Sequence, residues 1–305
     1  MAEFSATDAA FEGFRLTREK PKVILVWAAY ILVGVLISTI AGIVLAGGAL
    51  NTLMQAGRGA DPDPEELVAQ LSAVAPFLFL IIPVSIIYYA VLYSGLYRAI
   101  LRPEEGGPGY LKLGGRELRV AGALVLYYLI LVLAGVVLGV AVGLVWGVAV
   151  SVLGAAGGFL AFAVTVAAFG LFLWVAVRLS LCLPMTFNED RVRILESWRL
   201  TKGRFWPLFG AYVLAFIMII VISLLALMIY FAIAAIVAGG ISGASQGLSP
   251  DYSSIAAWLG PATIVFVLFS SLLNALTTAI ALAPSAVAYR DLSGGSLSGR
   301  AEVFS

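Results

Sequence analysis

Six long apolar segments, separated by shorter polar and charged segments, make up more than half of the chain. They run over residues 23–47, 76–101, 121–153, 159–183, 206–238 and 257–288. Each is longer than the roughly 20 residues that a helix needs to cross the hydrocarbon core of a bilayer. The pattern predicts an all-α polytopic membrane protein with six transmembrane helices, in which residues 1–305 form a single membrane domain.

The polar segments predict further elements. Residues 1–22 and 184–205 are amphipathic and basic, and we expect helices there on the membrane surface, with a third one before the third span. In the second of these helices, Asn188 is placed as the N-cap and Gly203 as the terminator. The Gly- and Ser-rich residues 291–305 predict a flexible tail.

The connection after the first span, residues 48–73, is polar and predicts a loop. Its acids, between Asp61 and Glu66, favour a solvated surface over a site for a divalent cation. Asp63 followed by Pro64 predicts the start of a helix that leads into the second span.

The composition indicates a lipid environment and excludes several chemistries. Hydrophobic residues make up 62% of the chain and charged residues 11%, and the mean hydropathy is +1.06. There is one cysteine, Cys182, and no histidine, which excludes a disulfide within the chain and the usual His/Cys metal sites. We therefore expect neither a metal nor a cofactor. The net charge of +1 gives no reason to expect nucleic acid as a partner.

The acidic residues are confined to loops and interfaces. None of the 17 falls in the centre of a span, so no span supplies the buried carboxylate of a proton relay or a hydrolase. We expect a protein that is not an enzyme and has no catalytic residues.

The basic residues are distributed unevenly between the two sides. All but one of the 18 Lys and Arg residues lie near the termini, over residues 98–119 or over residues 178–204, and the exception is Arg58. By the positive-inside rule, both termini and the two basic connections are cytoplasmic.

Short sequence matches before the odd-numbered spans predict an internal repeat. FRLTR at 14–18 matches WRLTK at 198–202, and LKLGG at 111–115 is a weaker third copy. Each copy precedes two spans, which predicts a threefold parallel repeat about an axis along the membrane normal. The alternative is that the matches only reflect a sequence pattern common to basic loops that precede apolar spans.

The run RILESWRLTKGRFWPLF at 193–209, which follows Arg178 and an intervening proline, resembles a group of bacterial six-helix membrane proteins. This group includes the membrane domain fused to some glycerophosphoryl diester phosphodiesterases and related stand-alone proteins of unknown function. The resemblance implies a six-helix fold, a bacterial inner (cytoplasmic) membrane location and lipid-related biology. The resemblance assigns no catalytic role to any residue of this sequence.

Three arginines, Arg98, Arg178 and Arg290, occupy equivalent positions near the ends of the even-numbered spans. One hypothesis makes them topology anchors, paired with acids such as Glu19, Glu117 or Glu196. The other makes them a ring at the cytoplasmic surface that binds the phosphate groups of anionic phospholipids.

Polar side chains form a stripe along the second span and another along the sixth. The residues that we expect at their centre are Tyr89, Tyr93, Asn274 and Thr278. The stripes favour either hydrogen bonds between the two helices or a polar cavity that admits a solute or a lipid headgroup.

Small residues recur at every fourth position of the third span, at Gly135, Gly139, Gly143 and Gly147. This spacing allows another backbone to approach closely. It predicts a tight helix contact within the chain, and the alternative is a face for self-association.

These features favour a non-enzymatic membrane protein that interacts with membrane lipids, including anionic phospholipids, or with other envelope components. The alternative is a transporter or channel for a small solute or lipid through a cavity between spans two and six.

Overall fold

The protein is helical throughout the residues that its structure, a computed structural model, describes, namely 4–56 and 63–301. Two short 3-10 turns, at Pro103–Glu105 and Pro108–Tyr110, accompany the α-helices, and no strand occurs in those ranges. The helices are α1 (Ala6–Glu19), α2 (Pro21–Ala56), α3 (Pro64–Leu101), α4 (Gly115–Leu153), α5 (Ala155–Leu179), α6 (Cys182–Glu189), α7 (Ile194–Leu200), α8 (Phe205–Val237), α9 (Ile241–Gln246), α10 (Ile255–Trp258) and α11 (Pro261–Ala301).

Six helical segments in the described part of the chain are long and apolar enough to cross a membrane. They are α2, α3, α4, α5 taken together with α6, α8 and α11. The prediction of an all-α polytopic membrane protein with six spans is confirmed.

The helices extend beyond the predicted spans. α2 continues to Ala56 through a kink at Ala46, and α3 already begins at Pro64, so the loop predicted over residues 48–73 is largely wrong. Glu, Leu, Ala and Gln are strong helix formers, and polar composition therefore does not end a helix there. The predicted helix start is correct, since Asp63 accepts a hydrogen bond from the Glu65 backbone N–H at 3.1 Å. Arg58 and Asp61 lie outside the described residues.

The far end of the chain is also more helical than expected. α11 extends to Ala301, into residues 291–305 that were predicted as a flexible tail. Leu292 packs on the cluster that contains Leu181 and Leu208, which gives the extra turn a partner. Residues 302–305 are outside the described part.

The helix predicted within residues 1–22 is present as α1, but it is docked on the bundle. Its buried face packs against α8 and α11 and consists of Ala9, Ala10, Gly13 and Leu16. A Cβ atom at Gly13 would lie 2.6 Å from the Cα atom of Ile280 in α11. Only glycine allows this approach of the two helices.

The helix predicted over residues 184–205 is broken into α6 and α7. Asn188 lies in the last turn of α6 instead of capping a helix, and Asp190 ends α6 in a left-handed conformation, with φ at 55°. The reason is burial, because α6 is packed inside the bundle from Cys182 to Phe187 and cannot lie on the membrane surface. Gly203, with φ at 78°, follows α7 as predicted.

The matched segments before the spans differ in structure. In both FRLTR and WRLTK, the threonine hydroxyl donates a hydrogen bond to the backbone carbonyl four residues earlier. The O–O distance is 2.9 Å for Thr17 and 2.8 Å for Thr201. However, α1 packs against α8 and α11, whereas α7 packs against α5 and α6. The segment 111–115 is not helical before Gly115, so the amphipathic helix predicted before the third span is wrong. The threefold repeat stays a prediction.

The hydrophobic core is concentrated at one end of the bundle, which we call the basic end: the end that carries α1, residues 102–114 and α7. α4 illustrates this, since its buried residues lie between Glu117 and Leu124, apart from Ala149 at the opposite end. Beyond Leu124, α4 packs mainly against α5. The α4–α5 hairpin is thus fastened to the other helices at the basic end.

The glycines of α4 do not form the contact within the chain that their spacing predicted. Among the described residues, no atom lies within 4 Å of a Cβ built at Gly139, Gly143 or Gly147, and Gly135 meets only a ring atom of Phe172, at 3.8 Å. The face of α4 that carries these glycines points away from α5. A different face of α4 meets α5, and Ala149 is buried in that contact.

Candidate functional site

A cavity of about 830 Å³ lies between α3, α4, α8 and α11. Most of its wall is apolar. The polar residues that line it are Ser85, Tyr89, Tyr93, Tyr128, Asn274, Thr277 and Thr278. The structure therefore brings together all four residues that were predicted to share a cavity between the second and sixth spans.

Helical spacing explains why these side chains converge. Ser85, Tyr89 and Tyr93 are four residues apart on α3, and Asn274 and Thr278 have the same spacing on α11, so each set lies on one helix face. The sequence pattern did not identify Tyr128 of α4 as a residue that lines the cavity. A tyrosine within an apolar span is a detectable signal, but its role depends on where the α4–α5 hairpin sits.

Two polar groups of the cavity wall have no partner. Asn274 accepts a hydrogen bond through Oδ1 from the Thr278 hydroxyl at 3.2 Å, but its amide nitrogen donates to no described residue. The Tyr89 hydroxyl likewise makes no hydrogen bond within the described chain, and its ring packs on Tyr93 at 5.9 Å. Unpaired polar groups are costly in an apolar setting, and these two are available to a ligand or to water.

Two of the other polar residues of the cavity, Ser85 and Thr277, form hydrogen bonds within their own helices. The Ser85 hydroxyl donates to the Ile82 carbonyl at 2.8 Å, and the Thr277 hydroxyl donates to the Leu273 carbonyl at 3.0 Å. Both bonds stay within the helix of the residue, so these hydroxyls do not join α3 to α11. The hydrogen bonds between the second and sixth spans that one hypothesis expected are absent from these positions in the described structure.

A network of ion pairs closes the bundle at the basic end. Arg98 of α3 is at its centre and bonds the carboxylates of Glu105 and Glu117 and the Tyr110 carbonyl. The Arg98 and Glu117 side chains are both 3% exposed, so this is a fully buried ion pair. Glu117 was one of the partners expected for the arginine anchors.

The network extends to the turn after α6. Arg116 bridges Glu105 and Asp190, with N–O distances of 2.9 and 3.1 Å, and Arg119 also pairs with Asp190. Burial alone would raise the pKa of Glu105, but hydrogen bonds from Arg116, Arg98 and Arg102 lower it to about 2. The bond from Arg116 also lowers the pKa of Asp190. Both acids therefore remain charged at neutral pH, which keeps α3, α4 and α6 joined.

Arg178, in the last turn of α5, has a different environment. It is 7% exposed, and its guanidinium lies over the rings of Trp174 and Trp198, at 5.6 and 5.0 Å from their centroids. Its backbone carbonyl accepts hydrogen bonds from Ser197 and Thr201 of α7, at 2.9 and 3.2 Å. No described acid pairs with the guanidinium, and its Nε atom is buried without a partner.

The three arginines do not share a common environment. Arg290 is exposed and pairs with its neighbour Asp291 at 3.2 Å, whereas Arg98 is in the buried network and Arg178 packs on tryptophans. No described contact joins them into a ring. Of the expected acids, Glu117 pairs with Arg98, and Glu196 pairs with Arg193 instead of Arg178.

The fold and the site together define a six-helix membrane protein with a mostly apolar cavity between four of its helices and a network of ion pairs at its basic end. The chain matches no family model, no curated protein and no solved structure. The resemblance to the membrane domain of glycerophosphoryl diester phosphodiesterases stays a prediction.

Proposed function

We propose that this protein binds a membrane lipid in its intramembrane cavity and catalyses no reaction on it. The observation that carries the proposal is the pair of unpartnered donors, the Tyr89 hydroxyl and the Asn274 amide, in a mostly apolar wall. A volume of about 830 Å³ is in the range typical of small-molecule sites.

The lining favours an amphiphile over a polar solute. Val125, Leu129 and Val132 of α4 line one side and are 44%, 50% and 60% exposed, so an acyl chain in contact with them would bury apolar surface. The polar part of the same molecule would accept hydrogen bonds from Asn274 and Tyr89. Because α4 is fastened mainly at the basic end, a lipid has a lateral route between α4 and the other helices.

The membrane and the orientation are part of this proposal. We place the protein in a bacterial inner membrane, with the basic end and both termini in the cytoplasm. The positive-inside rule supports this orientation, because the basic segments before α2, α4 and α8 all belong to that end. Reporter fusions to the two termini test it, and a reporter active only on the opposite side would contradict it.

The experiment is to purify the protein gently and to quantify the retained lipids by mass spectrometry. Wild type is compared with Asn274→Leu, which removes the free amide, and with Ser270→Leu as the matched control. Ser270 lies one turn away on α11, donates to the Val267 carbonyl at 3.2 Å and does not line the cavity. We expect a lipid retained by wild type and the control and lost from Asn274→Leu. Equal retention by all three proteins would rule out the cavity as the binding site.

A second candidate function, passage of a small solute or lipid across the bundle, is favoured by a separate observation. The hydroxyls of Ser94 in α3 and Thr186 in α6 are fully buried and have no partner in the described structure. Ser94 follows the cavity residue Tyr93 and precedes the network residue Arg98 by one turn. Polar groups thus continue from the cavity toward the basic end. Solute flux in proteoliposomes that Asn274→Leu and Tyr89→Phe both abolish would support passage, and unchanged flux would exclude it.

A further inference from the structure

Arg178 is a buried positive charge without a counter-charge. Its exposure is 7%, and it forms no ion pair and donates no hydrogen bond to any described residue. Arg98, which is buried to a similar extent, has two carboxylates and a carbonyl as partners. Burial of a charge is costly unless it is paired, so the guanidinium of Arg178 requires an acceptor that the protein itself does not provide.

The two tryptophans hold the guanidinium but cannot neutralise it. Trp174 belongs to α5 and Trp198 to α7, and their rings meet edge to face with centroids 4.8 Å apart. Cation–π contacts attract the guanidinium to the ring faces but supply neither a counter-charge nor a strong hydrogen-bond acceptor. The guanidinium therefore keeps N–H donors that no described residue uses, and planar recognition of phosphate is a preferred use of arginine.

The surroundings of Arg178 are positive, and they suit contact with a lipid surface. Thr201, which bonds the Arg178 carbonyl, is followed by the exposed Lys202 and Arg204, and no described acid pairs with either. The segment 195–206 contains these basic residues, and the residues at its two ends, Leu195 and Trp206, are 77% and 75% exposed. Basic residues combined with exposed apolar and tryptophan side chains are typical of segments at the interface with anionic lipids.

We infer that Arg178 binds the phosphate group of an anionic phospholipid, beside α7 and separately from the cavity. The ligand chemistry is a phosphate ester, for which a lipid headgroup and free phosphate are the two sources. Trp174 and Trp198 orient the guanidinium, while Lys202 and Arg204 draw anionic lipid to this surface. The inference does not depend on the cavity, because it involves none of the residues that line it.

The test measures how ligands raise the thermal stability of the purified protein in detergent. Four probes are titrated: phosphatidylglycerol, phosphatidylcholine, diacylglycerol with the same acyl chains, and sodium phosphate. A ligand that binds only the folded state stabilises it by RT ln(1 + [L]/Kd), so the titrations give apparent dissociation constants. We expect phosphatidylglycerol to bind wild type at least about tenfold more tightly than diacylglycerol, the factor that loss of one charged hydrogen-bonding contact produces.

Two variants with the same change of charge separate this site from general attraction. Arg178→Gln should lower the affinity for phosphatidylglycerol about tenfold. Arg199→Gln alters an exposed arginine of α7, next to Trp198, and should leave the affinity nearly unchanged. Arg178→Lys keeps the charge but loses the fork of donors, and we expect an intermediate affinity. The part of the phosphatidylglycerol affinity that Arg178→Gln removes should persist in Asn274→Leu, so failure of the cavity proposal and failure of this one can be told apart.

Specific results would overturn the inference. Equal affinities of wild type for phosphatidylglycerol and diacylglycerol would do so without any variant, even if Arg178→Gln fails to fold. Unchanged binding by Arg178→Gln would reduce Arg178 to a structural clamp between α5 and α7. If sodium phosphate stabilises wild type as strongly as the lipid does, the ligand is a soluble anion and the lipid assignment is wrong.

Discussion

Replacing Glu117 with glutamine would leave the buried guanidinium of Arg98 with only part of its counter-charge. Breaking a buried ion pair by removal of one partner typically costs about 3–5 kcal/mol. Arg98 keeps Glu105 at 2.9 Å and the Tyr110 carbonyl at 2.6 Å, so we expect the lower end of that range. In a large domain, each kcal/mol of lost stability lowers the unfolding midpoint by about 2–4 °C. A loss of about 3 kcal/mol therefore lowers the midpoint by at least about 6 °C.

Thermal unfolding of the purified protein in detergent, followed by tryptophan fluorescence, measures this shift. The matched control is Glu196→Gln, which removes the partner of Arg193 from a pair whose side chains are 45% and 34% exposed. Solvent screens such a pair, and its loss should lower the midpoint far less than the loss of the buried pair does. The double variant Arg98→Met/Glu117→Leu leaves neither charge of the pair stranded and should be more stable than Glu117→Gln. Equal midpoints for Glu117→Gln and Glu196→Gln would refute this reasoning.

Three further predictions follow from the described contacts. The pKa of Glu105 is lowered from its ordinary value of 4.5 to about 2, so the stability it contributes is complete above pH 4.5 and is lost as the pH falls toward 2. Unfolding midpoints should therefore be flat from about pH 8 to 5 and fall below about pH 4.5, less steeply in Glu105→Gln, and identical profiles would contradict this. Gly13→Ala forces a Cβ to within 2.6 Å of the Ile280 Cα and should cost about 1–3 kcal/mol by thermal unfolding, whereas Gly122→Ala, with open space around it, should not destabilise. Tyr30→Phe removes the hydrogen bond to the Tyr88 carbonyl at 3.1 Å and should cost about 0.5–1.5 kcal/mol in the same assay. No measurable loss would show that this bond adds nothing to the stacked rings and to the reciprocal bond from the Tyr88 hydroxyl to the Tyr30 carbonyl.

The features that could be predicted are those determined by local pattern. The six spans follow from the length of the apolar segments, and the convergence of Tyr89, Tyr93, Asn274 and Thr278 follows from helical spacing along two polar stripes. Both depend on the period of the helix and on hydropathy, which are properties of neighbouring residues.

The features that could not be predicted depend on tertiary packing. Tyr128 lines the cavity because of where the α4–α5 hairpin sits, and the glycine face of α4 has no partner in the described chain for the same reason. Arg98 and Arg178 occupy similar positions at span ends, yet only Arg98 meets carboxylates. Sequence spacing alone does not specify which charges pair across helices.

The most direct test of the central claim is a cryo-EM map of the protein in lipid nanodiscs, viewed at the cavity between α3, α4 and α11. We expect an elongated density along Leu129 and Val132, with its polar end within hydrogen-bonding distance of the Asn274 amide and the Tyr89 hydroxyl. The result that would contradict the account is a cavity without ordered lipid density, or an α4 packed directly against α3 and α11 so that no cavity remains.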